Sequence, residues 1–324
     1  MKIMVTGANG FVGMETVRQL WRDHEVVAVD CLRYGPWRFD EERLGFDLDT
    51  TDLRDRAQVE TLMAAFQPEA IIHLAAIHFI PECERKPDDA VSTNIAATNN
   101  LLYTAPRGCR FVLASTAAVY APNDDAHRET DVIGPMDVYG HSKLAAENFA
   151  QYFAAARGLD AVIVRLFNVV GRGETNPHVL PEIVGQLRRG ERRLRLGNIH
   201  PKRDYIHVSD AAHGFIAAAT QPFPSELGAV PVVNLGSGVA YSVQEMIEAL
   251  ESVVGERIAI EVDPAKVRNV DRPHLLADNT RMRTHFDWAP EHDLRDALRD
   301  VWAEAPQRHP NPRPVAPIAA QQQA

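Results

Sequence analysis

Short apolar segments alternate with amphipathic segments through the first half of the chain, and this alternation restricts the chain to few folds. The apolar segments predict strands at 3–6, 25–30, 70–74, 110–115 and 161–167. The amphipathic segments predict helices at 10–21, 58–66, 90–103 and 139–156. Strands that alternate with helices form a parallel sheet covered by helices on both faces. The sequence therefore predicts an α/β fold built on a doubly wound parallel sheet.

The alternation weakens after Gly171, where a strand is predicted at 231–235 and helices at 180–189 and 242–254. We predict a first domain at 1–170 with returning segments near 204–240. A second, smaller and interleaved domain is predicted at 171–304. The last segment, 305–324, is rich in Pro, Ala and Gln without periodicity, and is predicted to be disordered.

Charge and cysteine content exclude several classes of function. The 324 residues carry 34 Lys and Arg against 44 Asp and Glu, a net charge of −10, which argues against nucleic acid or an anionic membrane as partner. Three cysteines cannot form a disulfide framework and fit a reducing cytoplasm. The sequence shows no signal peptide, no apolar segment that spans a bilayer and no histidine spacing typical of a metal site. We expect a cytoplasmic protein without a metal.

A glycine-rich turn joins the first predicted strand to the first helix. Gly7, Gly10 and Gly13 let backbone N–H groups approach a diphosphate at the helix N-terminus. Asp30 ends the second predicted strand and suits the ribose hydroxyls of NAD, while it would repel the 2′-phosphate of NADP. Arg33 lies close by and weakens that preference. A chance glycine-rich turn and a strand-end carboxylate are the simpler alternatives.

Tyr139 and Lys143 stand four residues apart on a predicted helix, so both side chains lie on one face. A nearby ammonium, together with an oxidised nicotinamide, favours phenolate and lowers the pKa of the tyrosine, which can then accept a hydroxyl proton. Thr116 follows another predicted strand and can hydrogen-bond the same substrate oxygen. A tyrosine and a lysine at this spacing also occur often by chance, one in the core and the other at the surface.

Seven motifs in a fixed order extend this pattern: TGANGFVG at 6–13, HLAA at 73–76, STAAVY at 115–120, YGHSK at 139–143, RLFNVVG at 165–171, KRDYIHVSDAA at 202–212 and NLGSG at 234–238. Over about residues 1–302 the chain resembles the extended short-chain dehydrogenases/reductases, in the family of NAD-dependent sugar epimerases and dehydratases. The resemblance implies a Rossmann-type domain that binds NAD and a second domain that binds a nucleotide sugar. It also implies a homodimer formed by the helices at 90–103 and 139–156.

The resemblance assigns roles to individual residues. The catalytic residues would be Thr116, Tyr139 and Lys143. The cofactor contacts would be Gly7, Gly10, Phe11, Val12, Gly13, Asp30, Asp47, Leu48, Leu74, Ala75, Ala76, Asn94, Phe167, and again Tyr139 and Lys143. The substrate contacts would be His78, Thr116, Asn168, His178, Arg203, Arg268 and Asp271.

Departures from the family pattern narrow the expected reaction. Ala117 and Ala118 stand where the family's dehydratases carry Asp and Glu, and methyl groups cannot move the protons of an elimination. The pattern is most similar to the 4-epimerases of UDP-sugars, which implies a UDP-hexose or UDP-hexuronate as substrate. His78 and His178 replace a common lysine and a usual asparagine. A 4-ketoreductase or dehydrogenase with net redox, and a non-catalytic NAD(H)-sensing protein, are the alternatives.

Overall fold

The computed structural model describes residues 1–39, 45–174, 176, 178–267 and 272–304. Its strands are β1 (Lys2–Thr6), β2 (Glu25–Val29), β3 (Asp47–Asp49), β4 (Ala70–His73), β5 (Arg110–Thr116), β6 (Asp160–Leu166), β7 (Asn168–Val170), β8 (Arg193–Leu196), β9 (Lys202–His207), β10 (Val232–Leu235), β11 (Ala240–Ser242), β12 (Ala259–Val262) and β13 (His274–Leu275). Its α-helices are α1 (Phe11–Leu20), α2 (Arg56–Phe66), α3 (Ile80–Arg85), α4 (Pro87–Val91), α5 (Ala97–Thr104), α6 (Val138–Arg157), α7 (Val179–Arg188), α8 (Val208–Thr220), α9 (Val243–Val254), α10 (Thr280–His285) and α11 (Leu294–Ala303).

Seven parallel strands form the main sheet in the order β3-β2-β1-β4-β5-β6-β10. The first six follow the 3-2-1-4-5-6 order of the Rossmann fold, which places ligands along the carboxyl edge of the strands. The central strands are apolar without interruption because both of their faces are covered. The predicted fold class is confirmed.

Alternate residues of the central strands face two helical layers. Ile3 and Val5 belong to the apolar cluster that contains α1 and α8. Met4 belongs to the cluster on the opposite face, with α2, α5 and α6. The two-residue period of a strand explains this division, since successive side chains point to opposite faces.

A second, smaller group of elements packs beside the carboxyl edge of the sheet. Strand β9 is paired with β7, β11 and β13, and β8 is paired with β12. Helices α7, α9 and α11 share one apolar cluster with β8 and β9. The chain then leaves this group, because α8 packs against α1 and β10 joins β6 in the main sheet. The two groups are therefore interleaved along the sequence.

The helix predicted at 90–103 is interrupted. It begins earlier, at Pro87 of α4, and passes through a π-helical turn at Ser92–Ala96 before α5. Asn94 lies inside this turn, with its side chain bonded to the backbone of Ile77 rather than to solvent. The periodicity of the sequence alone does not reveal this turn. None of the helices in the described parts of the chain is long and apolar enough to cross a lipid bilayer.

A buried ion pair ties α6 to the sheet. The Glu147 carboxylate of α6 accepts hydrogen bonds from Nε and Nη2 of Arg165 on β6, at 3.0 and 2.8 Å. It also accepts a bond of 2.5 Å from the Ser115 hydroxyl on β5. Glu147 and Arg165 are 1% and 5% exposed. Because a buried charge is costly without its partner, this contact fixes α6 on two neighbouring strands.

We expect Arg165→Met to lower the free energy of unfolding by about 3–5 kcal/mol, since it leaves the Glu147 carboxylate buried without its cation. Urea unfolding at pH 7 measures the change. The control is Arg192→Met, which removes an exposed pair with Glu256 and should cost about 1 kcal/mol or less. Equal losses in the two variants would contradict the prediction.

Candidate active site

The glycine-rich turn after β1 has no room for a side chain at Gly7 or at Gly13. Gly7 has a positive φ of 70°, and an added Cβ there would lie 2.7 Å from the amide nitrogen of Ala75. An added Cβ at Gly13 would lie 2.1 Å from the carbonyl oxygen of Gly7. Helix α1 begins at Phe11, with Gly10 as its N-cap, and has no acidic side chain in its first turn. A helix start of this kind fits the diphosphate of a dinucleotide.

Asp30 lies directly after β2, next to the same turn. Its carboxylate accepts hydrogen bonds from the amides of Asn9 and Leu32, at 3.1 and 2.9 Å. Burial raises the pKa of Asp30, and these two hydrogen bonds oppose that rise. Arg33 is bound elsewhere, because its guanidinium lies 2.7 Å from Asp89 and 3.3 Å from Glu82. The residues present therefore fit NAD better than NADP.

The remaining predicted cofactor contacts come from neighbouring strands. The pairing of β2 with β3 sets Ala28 opposite Leu48, with Asp47 one position earlier on β3. Leu74, Ala75 and Ala76 follow β4, and the Leu74 amide donates to Thr6 at the end of β1. The structure thus brings these residues together with the glycine-rich turn along one edge of the sheet. Val12 lies in the first turn of α1.

Asn94 connects the segment after β4 with α6. Its side-chain amide binds both the N–H and the carbonyl of Ile77, at 2.8 and 2.9 Å. It also donates to the Ser142 hydroxyl at 2.9 Å. Asn94 is fully buried, so the described contacts give it a positioning role between the predicted cofactor segment and the Tyr139–Lys143 helix.

Thr116 lies at the end of β5, and Tyr139 lies at the start of α6. Thr116 is the last residue of β5, and its hydroxyl accepts a hydrogen bond of 3.1 Å from the amide of Ala118. Tyr139 is the second residue of α6, whose N-cap Asp137 accepts a bond of 2.7 Å from Gly140. Lys143, one helical turn further, is 2% exposed. The structure brings together the three residues that the sequence singled out for catalysis.

Burial moves the pKa values of the tyrosine and the lysine in opposite directions. It lowers the pKa of Lys143 to about 8, against an upward contribution from Glu147. It raises the pKa of Tyr139, while the hydrogen bond with Thr116 acts to lower it. From the sequence, the pKa of Tyr139 was expected to be lowered. The protein groups alone produce the opposite shift, because desolvation of the phenolate exceeds the effect of Thr116.

A cavity of about 530 Å³ opens beside this edge of the sheet. Three predicted substrate residues, Asn168, His178 and Arg203, line it together with Lys266. Phe167 precedes Asn168 and is buried between β6 and β7. The charged lining is mixed, with basic residues such as Arg203 beside the acidic Glu174, Glu182 and Glu304. The size and the polar lining suit a polar small molecule.

His78 lies at the border between the cavity and the cofactor edge. Its Nε2 lies 2.9 Å from the side-chain nitrogen of Asn176, and its ring centroid is 6.0 Å from that of His178. His178 in turn lies 3.3 Å from a carboxylate oxygen of Glu174. Of the predicted substrate residues, Arg268 and Asp271 lie outside the described residues.

Comparison with known proteins identifies the family. The model of the NAD dependent epimerase/dehydratase family matches residues 3–236, most of the chain. The chain belongs to this family.

Several relatives are similar over nearly their whole length. A UDP-glucose 4-epimerase of Corynebacterium glutamicum is 31% identical over 94% of this chain and 95% of that protein. A crystal structure of UDP-glucose-4-epimerase from Stenotrophomonas maltophila, with bound NAD and formylated UDP-arabinopyranose, superposes with a TM-score of 0.81 at 28% identity, covering 93% of this chain and 97% of that one. A UDP-glucose 4-epimerase of Brucella ovis in complex with NAD gives 0.82 at 26% identity, with 93% and 97% covered. These findings confirm NAD as the predicted cofactor.

Two residues that bond to neighbours of Thr116 were not predicted from the sequence. Glu147 stands one turn after Lys143, at a spacing that places it on the same helix face. Arg272 directly follows the predicted substrate residue Asp271, yet its side chain turns toward the segment after Thr116. Its charge and its position four residues after Lys143 were a sequence signal for Glu147. No sequence pattern indicated the second.

We expect Gly13→Ala to weaken NAD binding at least about tenfold and to destabilise the fold by about 1–3 kcal/mol, because the new Cβ overlaps the Gly7 carbonyl. Titration calorimetry with NAD and urea unfolding measure both effects. The control is Gly185→Ala in α7, whose Cβ would lie 3.6 Å from its nearest neighbour, Arg189. Normal NAD affinity in Gly13→Ala would contradict the steric argument.

Proposed function

We propose that the chain is an NAD-dependent nucleotide-sugar 4-epimerase that acts on a UDP-hexose or UDP-hexuronate. The observation that carries this proposal is that Thr116 ends β5 and Tyr139 and Lys143 begin α6, at the edge of the sheet that also carries the dinucleotide turn. A cavity lined by Asn168, His178 and Arg203 opens along the elements that follow β6. The curated relatives from Corynebacterium glutamicum and rice are UDP-glucose 4-epimerases at 30–31% identity over nine-tenths of the chain. They confirm the prediction of an NAD-dependent nucleotide-sugar epimerase.

The reacting groups have distinct roles in this proposal. The Tyr139 phenolate oxygen accepts the proton of the sugar 4-hydroxyl and later returns it, while Thr116 holds the same sugar oxygen. The positive charge of Lys143 favours the phenolate against the burial that disfavours it. NAD, when bound, accepts the hydride from C4 and gives it back to the opposite face of the 4-keto sugar. The cycle has no net redox change.

Two alanines argue against an elimination reaction. Ala117 and Ala118 form the turn after Thr116, and the Ala117 side chain is buried among apolar residues. Neither offers an acid or a base near the sugar. Elimination of water needs both, so we propose that oxidation and reduction at C4 complete the chemistry.

The cavity supplies the nucleotide site in this proposal. Arg203 provides positive charge for a diphosphate, and Asn168 and His178 provide polar contacts at its sugar side. The ammonium of Lys266 is paired with Glu182 at 3.1 Å. The roles of Arg268 and Asp271 stay predictions, as does the division into an NAD-binding domain at 1–170 and a mainly substrate-binding domain at 171–304. A cytoplasmic location also stays a prediction.

Proton NMR of the purified protein with catalytic NAD tests the function against a panel of UDP-, GDP- and TDP-sugars. The absorbance of NADH is recorded at the same time. A new C4 epimer without accumulation of NADH would support the epimerase and identify the substrate. A 4-keto product or stoichiometric turnover of the cofactor would replace it by a reductase or dehydrogenase. No change with any sugar would refute the proposed donor class.

We expect Tyr139→Phe to lower kcat by about 10²- to 10⁴-fold, the usual contribution of a positioned general acid-base. The affinity for UDP should stay within threefold of wild type, because the lost hydroxyl faces the sugar rather than the nucleotide. Epimerisation rates and UDP titration calorimetry measure the two quantities. Tyr241→Phe, in the small sheet, serves as control and should keep full activity. A Tyr139→Phe enzyme with near-normal kcat would contradict the assignment.

We also propose a homodimer through α5 and α6. Phe149 and Tyr152 of α6 are 38% and 65% exposed, and Tyr103 of α5 is 39% exposed. Phe153 contacts all three, with ring centroids 5.1–6.4 Å away. Exposed aromatic residues gathered on one surface are typical of protein interfaces.

We expect Tyr152→Glu to convert the dimer to a monomer at micromolar concentration, since it places a charge on this aromatic surface. Sedimentation velocity measures the state of association. Val132→Glu is the control, at a residue that is 76% exposed and lies outside both helices. A wild-type chain that sediments as a monomer would refute the dimer.

A further inference from the structure

Arg272 is a buried arginine whose described hydrogen bonds end on backbone carbonyl oxygens. The residue is 8% exposed. Its Nη2 donates to the carbonyl of Ala118 at 2.9 Å, and its Nη1 donates to the carbonyl of Tyr120. Both carbonyls belong to the segment that directly follows Thr116. A charged donor is thus used to hold the main chain beside a proposed catalytic residue.

The segment held by Arg272 sets the geometry of Thr116. The amide of Ala118 donates to the Thr116 hydroxyl oxygen at 3.1 Å. The carbonyl of the same residue faces α6, because an added Cβ at Gly140 would lie only 2.8 Å from it. Gly140 directly follows Tyr139. The Ala118 peptide is therefore enclosed by Arg272 on one side and by the start of the Tyr139 helix on the other.

The main chain of Arg272 connects to the cavity. Its carbonyl accepts a hydrogen bond of 2.7 Å from Nη1 of Arg203. Arg203 lines the cavity and is the proposed nucleotide contact on β9. The next residue, Pro273, accepts a bond of 2.9 Å from Lys202, which fixes the segment along β9. Three hydrogen bonds, joined by the covalent structure of Arg272 and Ala118, thus connect Arg203 with Thr116.

We propose that Arg272 is a positioning residue that couples occupation of the nucleotide cavity to the alignment of Thr116 with Tyr139. This inference rests on the proposed function, because it assigns Arg203 to nucleotide binding and Thr116 to the sugar oxygen. An arginine suits this task, since its planar fork bridges two carbonyl oxygens in a fixed geometry, whereas a lysine offers a single point of attachment.

The decisive experiment is a double-mutant cycle on the full-length protein with Arg272→Lys, Thr116→Ala and the double variant. We expect Arg272→Lys to lower kcat by about 10- to 100-fold, the equivalent of one charge-assisted hydrogen bond. The affinity for NAD should stay within threefold of wild type, and the affinity for UDP should fall by no more than kcat does, because coupling between two sites is reciprocal. In the Thr116→Ala background, Arg272→Lys should cause almost no further loss, because its effect passes through the missing hydroxyl.

Arg128→Lys is the control, since this exposed guanidinium pairs with Asp278 and does not contact the segment after Thr116. It should keep wild-type kcat. Multiplicative losses in the double variant would overturn the proposal, since they would show that Arg272 acts independently of Thr116. An unchanged kcat in Arg272→Lys would overturn it as well.

Hydrogen exchange tests the coupling without any catalysis. Addition of UDP to the NAD-loaded wild-type protein should slow amide exchange in the peptide that spans residues 116–121, and Arg272→Lys should remove this response. A wild-type protein that shows the response but epimerises no sugar would refute the proposed function and leave the coupling intact. A wild-type protein that binds UDP without the response would refute the coupling alone.

Discussion

The buried carboxylate of Glu147 is the contact on which the arrangement of the site depends. Its bonds to Arg165 and Ser115 hold α6 against β5 and β6 at once. Tyr139 and Lys143 lie on that helix, and Thr116 ends one of those strands. Because one anion satisfies both strands, the helix cannot slide along the sheet without leaving a buried charge unpaired. The distance between phenol and threonine hydroxyl is thereby fixed.

The turn after Thr116 has few polar groups of its own. The residues of that turn, Ala117–Val119, have no polar side chains. Arg272 supplies the hydrogen bonds from a distant part of the sequence. The main chain of this turn is therefore bonded to a side chain about 150 positions later in the sequence.

The sequence predicted most strands of the main sheet, and placed Tyr139 and Lys143 on one helix, because both features leave local signals. Apolar segments marked the buried strands, and the four-residue spacing of Tyr139 and Lys143 marked one helix face. The exposed three-residue strand β3 left no such signal, since it is held by pairing with β2 rather than by apolar burial. Arg272 was missed because its partners stand about 150 positions earlier in the chain. The raised pKa of Tyr139 depends on burial, which spacing does not report.

The π-helical turn at Ser92–Ala96 changes the rotational phase of the helix that crosses it. Before the turn, Ala90 packs beside Tyr139 in a small cluster near the site. After it, Ala97 and Leu101 pack into the central core between the helices and the sheet. An uninterrupted α-helix advances about 100° per residue, so one extra residue is enough to redirect a face. One continuous segment can therefore pack near the proposed site at one end and in the core at the other. Insertion or deletion of a single residue between the two ends would rotate one of these faces away from its contacts.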